Sequence, residues 1–508
     1  MADSFPSSML PMHTSDTGPH REPESRLPGS PGRSLNDTAV PPAGRWRTLL
    51  LALAPLALSA CASLAPDGGV APVEQAARQQ LQAELQAART SQDQDRIAAR
   101  VAELLRSPLS ADAAVQIALL NNRGLQASLQ SLGIAEAELV QASRLPNPRF
   151  TLGRLQRGDE REIERSVGFD LGSLVTLPMR RHVQLQRQQG VQRSVTLEML
   201  RLASDTRKAY YTALAAEQTL AYRRDAQAAA EAGAELARRM QKAGNWSALD
   251  QAREEGFLAE TRLGVLRAEL LRTSTRERLA RLLGVDDAQA LSLPERLPEL
   301  PATAEERTGI EQQALQTRLD LQAARTQLAA SARSLGLSKV TRLVDGFELA
   351  LKLNSATDAP RQTGAEISFE IPLFDSGDAR VAQAEARYLQ DAHRAAQIAV
   401  EARSEVREAY QTYRAAHEVA RHYRDELLPL ARRVSQEQLL RYNGMFIGVF
   451  ELLADARTQI GVVNASLEAL RDFWLAQADL DMALVGRPGP TALGAAAADA
   501  DSPRPAAH

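Results

Sequence analysis

The chain has 508 residues, ample length for a sizeable core, and a formal net charge of only −3 at pH 7. This near balance of charge favours neither nucleic acid nor anionic lipid as an electrostatic partner of the whole chain. Aromatic residues make up 4% of the sequence, while Ala, Leu, Gln, Arg and Glu recur throughout, which is typical of long helices rather than of a compact enzyme domain.

The N-terminal part of the sequence has the pattern of a secretion signal. Residues 48–57 form a short apolar run with arginines before it and small residues after it. Such a run is too short to span a bilayer and is typical of a cleaved signal peptide. We assign residues 1–60 to a leader and signal. Our hypothesis is that the Pro-, Ser- and Gly-rich residues 1–39 precede the true start codon.

Cys61 is the only cysteine in the chain and ends the sequence Leu-Ser-Ala-Cys. One cysteine forms no internal disulfide, so an oxidising compartment gives it no structural role. The four residues resemble the bacterial lipobox, in which the cysteine is acylated and begins the mature protein. We expect a covalent lipid on Cys61, no other cofactor, and a lipid-anchored periplasmic segment over 61–106. The alternative is a buried or free thiol.

Two segments interrupt the helical pattern with alternating apolar and polar residues, and we place β-hairpins there at about 146–177 and 345–373. One apolar face over about ten residues suits a barrel wall between lipid and water; a soluble hairpin is the alternative. Four strands are too few to close a barrel, so copies of the chain would have to share one. The residues expected to face its lumen are Glu348, Lys352, Glu366, Ser368 and Glu370.

The strongest helical pattern lies between residues 377 and 441. Apolar residues, mostly alanine, recur there in steps of three and four from Ala392 to Leu430. This spacing predicts one narrow seam against a partner helix. Pro429 is expected to break or kink the helix because it has no amide donor. Periodicity alone leaves an ordinary soluble coiled coil open.

The sequence also contains an internal repeat. Residues 207–225 and 407–425 agree at eight of nineteen positions. A repeat at this spacing indicates a duplicated half-molecule rather than a solenoid. We place a first repeat at 107–290, a Pro-rich connector at 291–305, a second repeat at 306–487, and a disordered tail at 488–508.

Together these features resemble the TolC-like outer membrane efflux family, in its lipoprotein branch. Its more specific marks are A-L-L-N-N-R-G-L (118–125), R-L-P-N-P-R-F (144–150), I-S-F-E-I-P-L-F-D-S-G-D-A-R (367–380) and G-M-F-I-G-V-F-E-L-L-A-D-A-R (444–457). The resemblance implies a mainly α fold with membrane β: a homotrimer with a 12-stranded outer-membrane β-barrel and a periplasmic α-barrel of long helices. It implies a passive exit duct of a tripartite efflux system, with a periplasmic adaptor and an inner-membrane pump as partners. The transported substrate does not follow from the sequence.

The resemblance also suggests functional residues. Two turns match the helix tips that face the adaptor and pump: Gly244, Asn245, Trp246 and Ser247 in the first half, and Asn443, Gly444 and Met445 in the second. Glycine would permit positive φ in these turns, and a simple helix C-cap is the alternative. Asp455 and Arg457 resemble a pair that helps to hold the periplasmic aperture shut; a solvated charge pair is the alternative.

The sequence shows no catalytic signature. It has no H-E-x-x-H or comparable metal spacing, no phosphate-binding glycine loop and no G-x-S-x-G motif. We therefore predict a protein that is not an enzyme. The main alternative is a periplasmic adaptor lipoprotein, which would need β-rich domains flanking one helical hairpin. A lipid-anchored hydrolase is a third possibility that no motif supports.

Overall fold

The computed structural model describes residues 63–340, 347–369 and 374–489. The chain divides into two units, Met1–Cys61 and Ala62–His508, and all described residues belong to the second. The predicted signal, Cys61, Glu370 and nearly all of the predicted tail therefore lie outside the described residues.

The predicted fold class, mainly helical with two β-hairpins, is confirmed. The elements are α1 (Ala71–Ala76), α2 (Ser91–Leu104), α3 (Ala111–Asn121), α4 (Arg123–Ser143), β1 (Arg149–Arg157), β2 (Glu160–Asp170), α5 (Leu171–Lys242), α6 (Ala248–Leu283), α7 (Ile310–Thr317), α8 (Leu319–Val340), β3 (Glu348–Ala356), β4 (Gln362–Ser368), α9 (Asp378–His422), α10 (Leu428–Asn443) and α11 (Val449–Val485). Short π-helical turns cover Ala77–Leu81 and Tyr423–Leu427, and a 3₁₀ turn covers Ala288–Ala290.

The two halves repeat one order of elements: a short helix, a longer helix, a hairpin, a very long helical arm and a returning helix. In the first half these are α3, α4, β1–β2, α5 and α6; in the second they are α7, α8, β3–β4, α9–α10 and α11. The 72 residues of α5 extend about 108 Å at a rise of about 1.5 Å per residue.

The repeated tyrosine has the same structural task in both halves. The Tyr210 hydroxyl donates to the carbonyl of Leu109 (2.8 Å), two residues before α3 begins. The Tyr410 hydroxyl accepts from the amide of Arg307 (3.3 Å), three residues before α7 begins. Each tyrosine therefore ties a long arm to the backbone that enters its own half, which gives a physical reason for its recurrence.

The predicted connector is packed against the helices. Leu291, Leu297 and Leu300 are buried, at 2–7% exposure. The Trp474 indole donates to the carbonyl of Pro298 (3.2 Å), and the Glu305 amide donates to the Tyr413 hydroxyl (3.1 Å). These bonds satisfy backbone groups that a proline-rich segment cannot satisfy through a helix or a sheet.

The predicted seam of α9 ends at the π-helical turn. Ala395, Ala402, Ala409 and Ala420 are buried, but Leu430 is 53% exposed, so the buried part of the seam within this chain ends before Leu430. The amide of Leu428 donates to the carbonyl of Tyr423, five residues back. This wider turn precedes Pro429, which has no amide to donate, and it rotates the following side chains out of the earlier register.

Asp479 of α11 is a buried carboxylate beside Lys208. It is 7% exposed, and its Oδ1 lies 2.9 Å from Lys208 Nζ, which also contacts Asp205 at 3.2 Å. Burial raises the pKa of Asp479, and the attraction of Lys208 opposes this effect only in part. Folding therefore disfavours the ionised form of this carboxyl.

Asp479→Asn is accordingly expected to raise the thermal unfolding temperature at pH 7. A carboxyl whose pKa rises on folding destabilises the protein above that pKa, and the cost disappears as pH falls below about 4, where the unfolded carboxyl becomes protonated as well. The gain should therefore shrink steadily from pH 7 and vanish below about pH 4. Asp205→Asn changes a more exposed partner of the same lysine and is the control; it should give at most a small gain, because the charge of Asp205 raises the pKa of Asp479 less than burial does. A lower unfolding temperature for Asp479→Asn at pH 7 would show that the ion pair outweighs burial.

Candidate functional site

The two hairpins lie side by side in one antiparallel sheet of order β1-β2-β3-β4. β2 joins them: Asp170 pairs with Glu348 at one end, and Glu162 pairs with Ala356 at the other. The strands are longer than the alternation predicted, because charged residues such as Glu160 and Glu162 continue β2 toward the tip. In the described part of the chain, β1 and β4 each have one edge without a partner strand.

The register separates the side chains into two faces. One face carries most of the apolar residues of the strands; its members are Phe150, Leu152, Ile163, Val167, Phe169, Leu349, Leu351, Leu353, Ala365 and Ile367. We call it the apolar face. The other, the polar face, carries all of the predicted lumen residues that are described: Glu348, Lys352, Glu366 and Ser368. Contacts between Lys352 and Glu366, and between Arg149 and Glu348 (3.5 Å), lie on this polar face.

The first hairpin passes directly into α5. The Asp170 carboxylate accepts from the amide of Ser173 (2.8 Å) and caps the helix. The amides of Leu171 and Gly172 donate to the carbonyl of Phe347, at the start of the second hairpin. We placed residues 171–177 at the end of the first hairpin, but they are helical. The sheet therefore passes into the longest helix with no loop between them.

The first predicted tip is a tight turn between α5 and α6. Gly244 has φ +77°, and the Asn245 amide donates to the carbonyl of Met240 (2.9 Å), five residues back. The Ser247 hydroxyl accepts from the amide of Asp250 (3.1 Å) and caps α6. Glycine adopts this left-handed conformation without the backbone strain of other residues, as the sequence predicted.

The second tip differs by one residue. Gly444 has φ −80°, and the positive φ (+64°) belongs to Met445. The reason we gave for Gly444 is therefore wrong: a Cβ there would lie 2.8 Å from the ring of Phe446, an exposed side chain that would have to turn aside. Met445 and Phe446 are 92% and 83% exposed. The residues predicted for this tip do not include Phe446. The sequence could have indicated it, because a large apolar residue directly follows Met445 in the predicted turn.

The predicted aperture residues are not paired with each other. Arg457 binds Glu254 of α6 at 2.5 Å, and its guanidinium lies 4.3 Å from the centre of the Phe257 ring. Glu254 is only 2% exposed. Asp455 Oδ2 and Arg457 Nε are buried, and neither has a hydrogen-bond partner within the described ranges. Glu254 lies 203 residues from Arg457, so no local pattern could have indicated it.

Two properties of the described residues bear on function. They contain no group of three or more His, Cys, Asp or Glu side chains placed to hold a metal ion. In the same residues, every helix is too short or too polar to cross a bilayer.

Comparison with known proteins places the fold. Neither a protein-family model nor a curated protein sequence matches the chain. Solved structures of outer membrane channels do match it. OprN is 19% identical, with 80% of this chain and 95% of OprN covered and a TM-score of 0.63. The open state of MtrE from Neisseria gonorrhoeae is 17% identical, with 76% and 89% covered and a TM-score of 0.62. CmeC from Campylobacter jejuni is 12% identical, with 82% and 92% covered and a TM-score of 0.58.

These similarities extend over most of both chains. The chain has the fold of outer membrane channel proteins.

Proposed function

We propose that this protein is the outer membrane channel of a tripartite efflux system, a passive exit duct in the TolC-like family. Three copies would close a 12-stranded barrel in the outer membrane, and their long helices would continue it through the periplasm. A lipid on Cys61 would anchor each copy. A periplasmic adaptor and an inner-membrane pump would supply the substrate and the energy.

The observation that carries this proposal is a four-stranded sheet with one apolar face, one polar face and two unpaired edges. An open edge in lipid leaves backbone amides and carbonyls without partners, at several kcal/mol each, so such a sheet must close with other copies. The fold shared with outer membrane channels supports the same conclusion.

Strand number supports three copies over two. Two copies would give eight strands, and the interior of an eight-stranded barrel is just wide enough for side chains to fill. Three copies would give twelve strands and a wider lumen lined by the polar face, as a duct requires. The adaptor alternative needs additional β-rich domains, and the described residues contain only the four strands of this sheet.

The helix tips support a docking role at the opposite end of the arms. Met445 and Phe446 expose apolar side chains at a turn that no described part of the chain covers. The positive φ of Met445, a bulky side chain, costs roughly 1–2 kcal/mol relative to ordinary backbone. An adaptor that covers this tip would bury the exposed surface.

Cysteine labelling of intact cells tests the proposal. Asp159→Cys and Ala359→Cys place one thiol in each hairpin turn; Ala359 is chosen because its neighbour Asp358 has φ +65°. Both thiols should react with a membrane-impermeant maleimide on intact cells, because the turns would reach the cell exterior. Asn245→Cys at a helix tip is the control and should react only after the outer membrane is opened.

The unsubstituted protein measures background at Cys61, which acylation would block. If the hairpin thiols react only after the outer membrane is opened, the hairpins are periplasmic and the channel proposal is wrong. A cross-linking pattern that ends at dimers would overturn the trimer and leave the membrane topology standing.

A further inference from the structure

The apolar face of the sheet changes character along its length. Near the helices it carries apolar side chains from all four strands, in rows such as Phe169–Leu349–Ile367. From the middle of the first hairpin to its turn, the same face carries arginines: Arg165 and Arg161 on β2, and Arg154 on β1. All three are exposed.

No strand carboxylate shares this face with the arginines. The register places every aspartate and glutamate of the four described strands on the polar face: Glu160, Glu162, Glu164, Asp170, Glu348 and Glu366. The strand cations that do have acidic partners, Arg149 and Lys352, also lie on the polar face. The near-neutral charge of the whole chain therefore hides a local surplus of three positive charges on the apolar face.

The three arginines form one cluster. Arg154 pairs directly with Ile163, so Arg161 and Arg165 are its two diagonal neighbours on β2. Diagonal positions lie roughly 7–8 Å apart, and Arg161 and Arg165 lie about 13 Å apart along the strand. Long arginine side chains reach across such distances, and guanidinium groups bind phosphate oxygens through two parallel hydrogen bonds. Without an anion, three like charges in this arrangement repel one another.

The position of the cluster points to the anion. This inference rests on the proposed function, in which the apolar face contacts lipid and the hairpin turns reach the cell exterior. An arginine on the lipid face is costly at the bilayer midplane and nearly free at the interface. Arg161 lies about 26 Å from Phe169 along β2, and Arg154 pairs with Ile163 at about 20 Å, so both would reach the headgroups of the outer leaflet. Arg165 lies about 13 Å from Phe169, and its long, flexible side chain would extend toward the same headgroups.

We propose that Arg154, Arg161 and Arg165 bind the phosphate groups of an anionic lipid in the outer leaflet of the membrane. Each chain would hold one such cluster on the lipid side of the first hairpin. On the two strands of the second hairpin, the residues at this level of the apolar face are Ser355 and Thr363, which are polar but uncharged.

The test uses the full-length protein in detergent and two probes, lipid A with two phosphates and lipid A from which both were removed. Affinity should favour the phosphorylated probe. A variant with Arg154→Gln, Arg161→Gln and Arg165→Gln should bind it on the order of 100-fold more weakly, about fivefold per arginine. Replacing the same three residues by lysine should recover most of the affinity. Arg157→Gln, a change of the same type on the polar face, should leave binding unchanged.

Three outcomes would overturn the inference: unchanged affinity in the triple glutamine variant, equal loss in Arg157→Gln, or equal displacement of both probes by millimolar inorganic phosphate. Retention of the assembled oligomer on a native gel shows that the variants fold. Labelling of Asp159→Cys in intact cells separates the two proposals. If this thiol is exterior but the arginines do not affect binding, the lipid site alone fails; if it is not exterior, the channel proposal fails as well.

Discussion

Arg457→Met is expected to destabilise the fold by about 3 kcal/mol, the lower end of the cost of breaking a buried ion pair. The substitution leaves the Glu254 carboxylate, 2% exposed, without its cation, while the methionine still packs against Phe257. The lower end applies because the Arg457 side chain is itself about a third exposed. Chemical unfolding in detergent measures the change.

Two further variants separate the ion pair from general damage. Glu254→Leu combined with Arg457→Met should recover most of the lost stability, because an apolar pair of similar volume removes both charges together. Arg262→Met breaks an exposed pair with Glu231 between α5 and α6, the helix that also carries Glu254, and should change stability by at most about 1 kcal/mol. Equal losses in Arg262→Met and Arg457→Met would contradict the argument from burial.

The same variant tests the predicted role of Arg457 at the aperture. If the bond from α11 to α6 holds these helices in a closed arrangement, Arg457→Met should raise single-channel conductance in planar bilayers, while Arg262→Met should not. Reduced stability with unchanged conductance would mean that the ion pair is structural and that the aperture prediction is wrong.

Arg318→Leu is expected to destabilise the fold by about 3–5 kcal/mol. Arg318 is 1% exposed at the junction of α7 and α8. It binds both carboxylate oxygens of Asp320 (3.0 and 2.6 Å) and lies 2.7 Å from Glu405 of α9. Leucine would fill part of the volume, leave the Asp320 carboxylate without this cation, and leave Glu405 with the more exposed Arg487 (3.3 Å). Unfolding by denaturant, followed by circular dichroism, gives the change.

Arg407→Leu is the matched control for this variant. It removes another arginine that joins α9 to the start of the second half, through Glu311 at 3.5 Å, but its side chain is 62% exposed. Solvent screens that pair, so the expected loss is at most about 1 kcal/mol. A loss for Arg318→Leu as small as that for Arg407→Leu would show that water reaches the two carboxylates and that the junction is not the anchor its burial indicates.

At the corresponding junction of the first half, between α3 and α4, uncharged asparagine side chains make the contacts. Asn122, between α3 and α4, donates to the carbonyl of Leu282 (3.0 Å) and accepts from the amide of Leu125 (3.0 Å). Asn121 donates to the carbonyl of Gly284 (2.6 Å), at the end of α6. In the second half, Arg318 reaches the carbonyl of Ala483 (3.4 Å) near the end of α11. In both halves, the junction of the first two helices thus binds carbonyls near the end of the returning helix. The side chains that do so are asparagines in the first half and an arginine in the second, so identical residues do not mark the correspondence.

Features that depend on local periodicity could be predicted from the amino-acid sequence. Alternation in Phe347–Leu353 placed a strand, steps of three and four placed the seam of α9, and Pro429 marked its end, because side-chain direction repeats every 2 residues in strands and every 3.6 in helices. The same alternation was enough to assign Glu348, Lys352, Glu366 and Ser368 to one face of the sheet, and the strand register confirms that assignment.

Features that depend on distant residues or on an exact backbone angle required the folded chain. The partner of Arg457 is Glu254, 203 residues away, and the positive φ of the second tip falls on Met445 rather than on Gly444. The arginine cluster needed the register of β1 on β2, since shifting that pairing by one residue moves every side chain to the opposite face. Local sequence sets which way a side chain points along its own element, and packing between elements sets what it meets there.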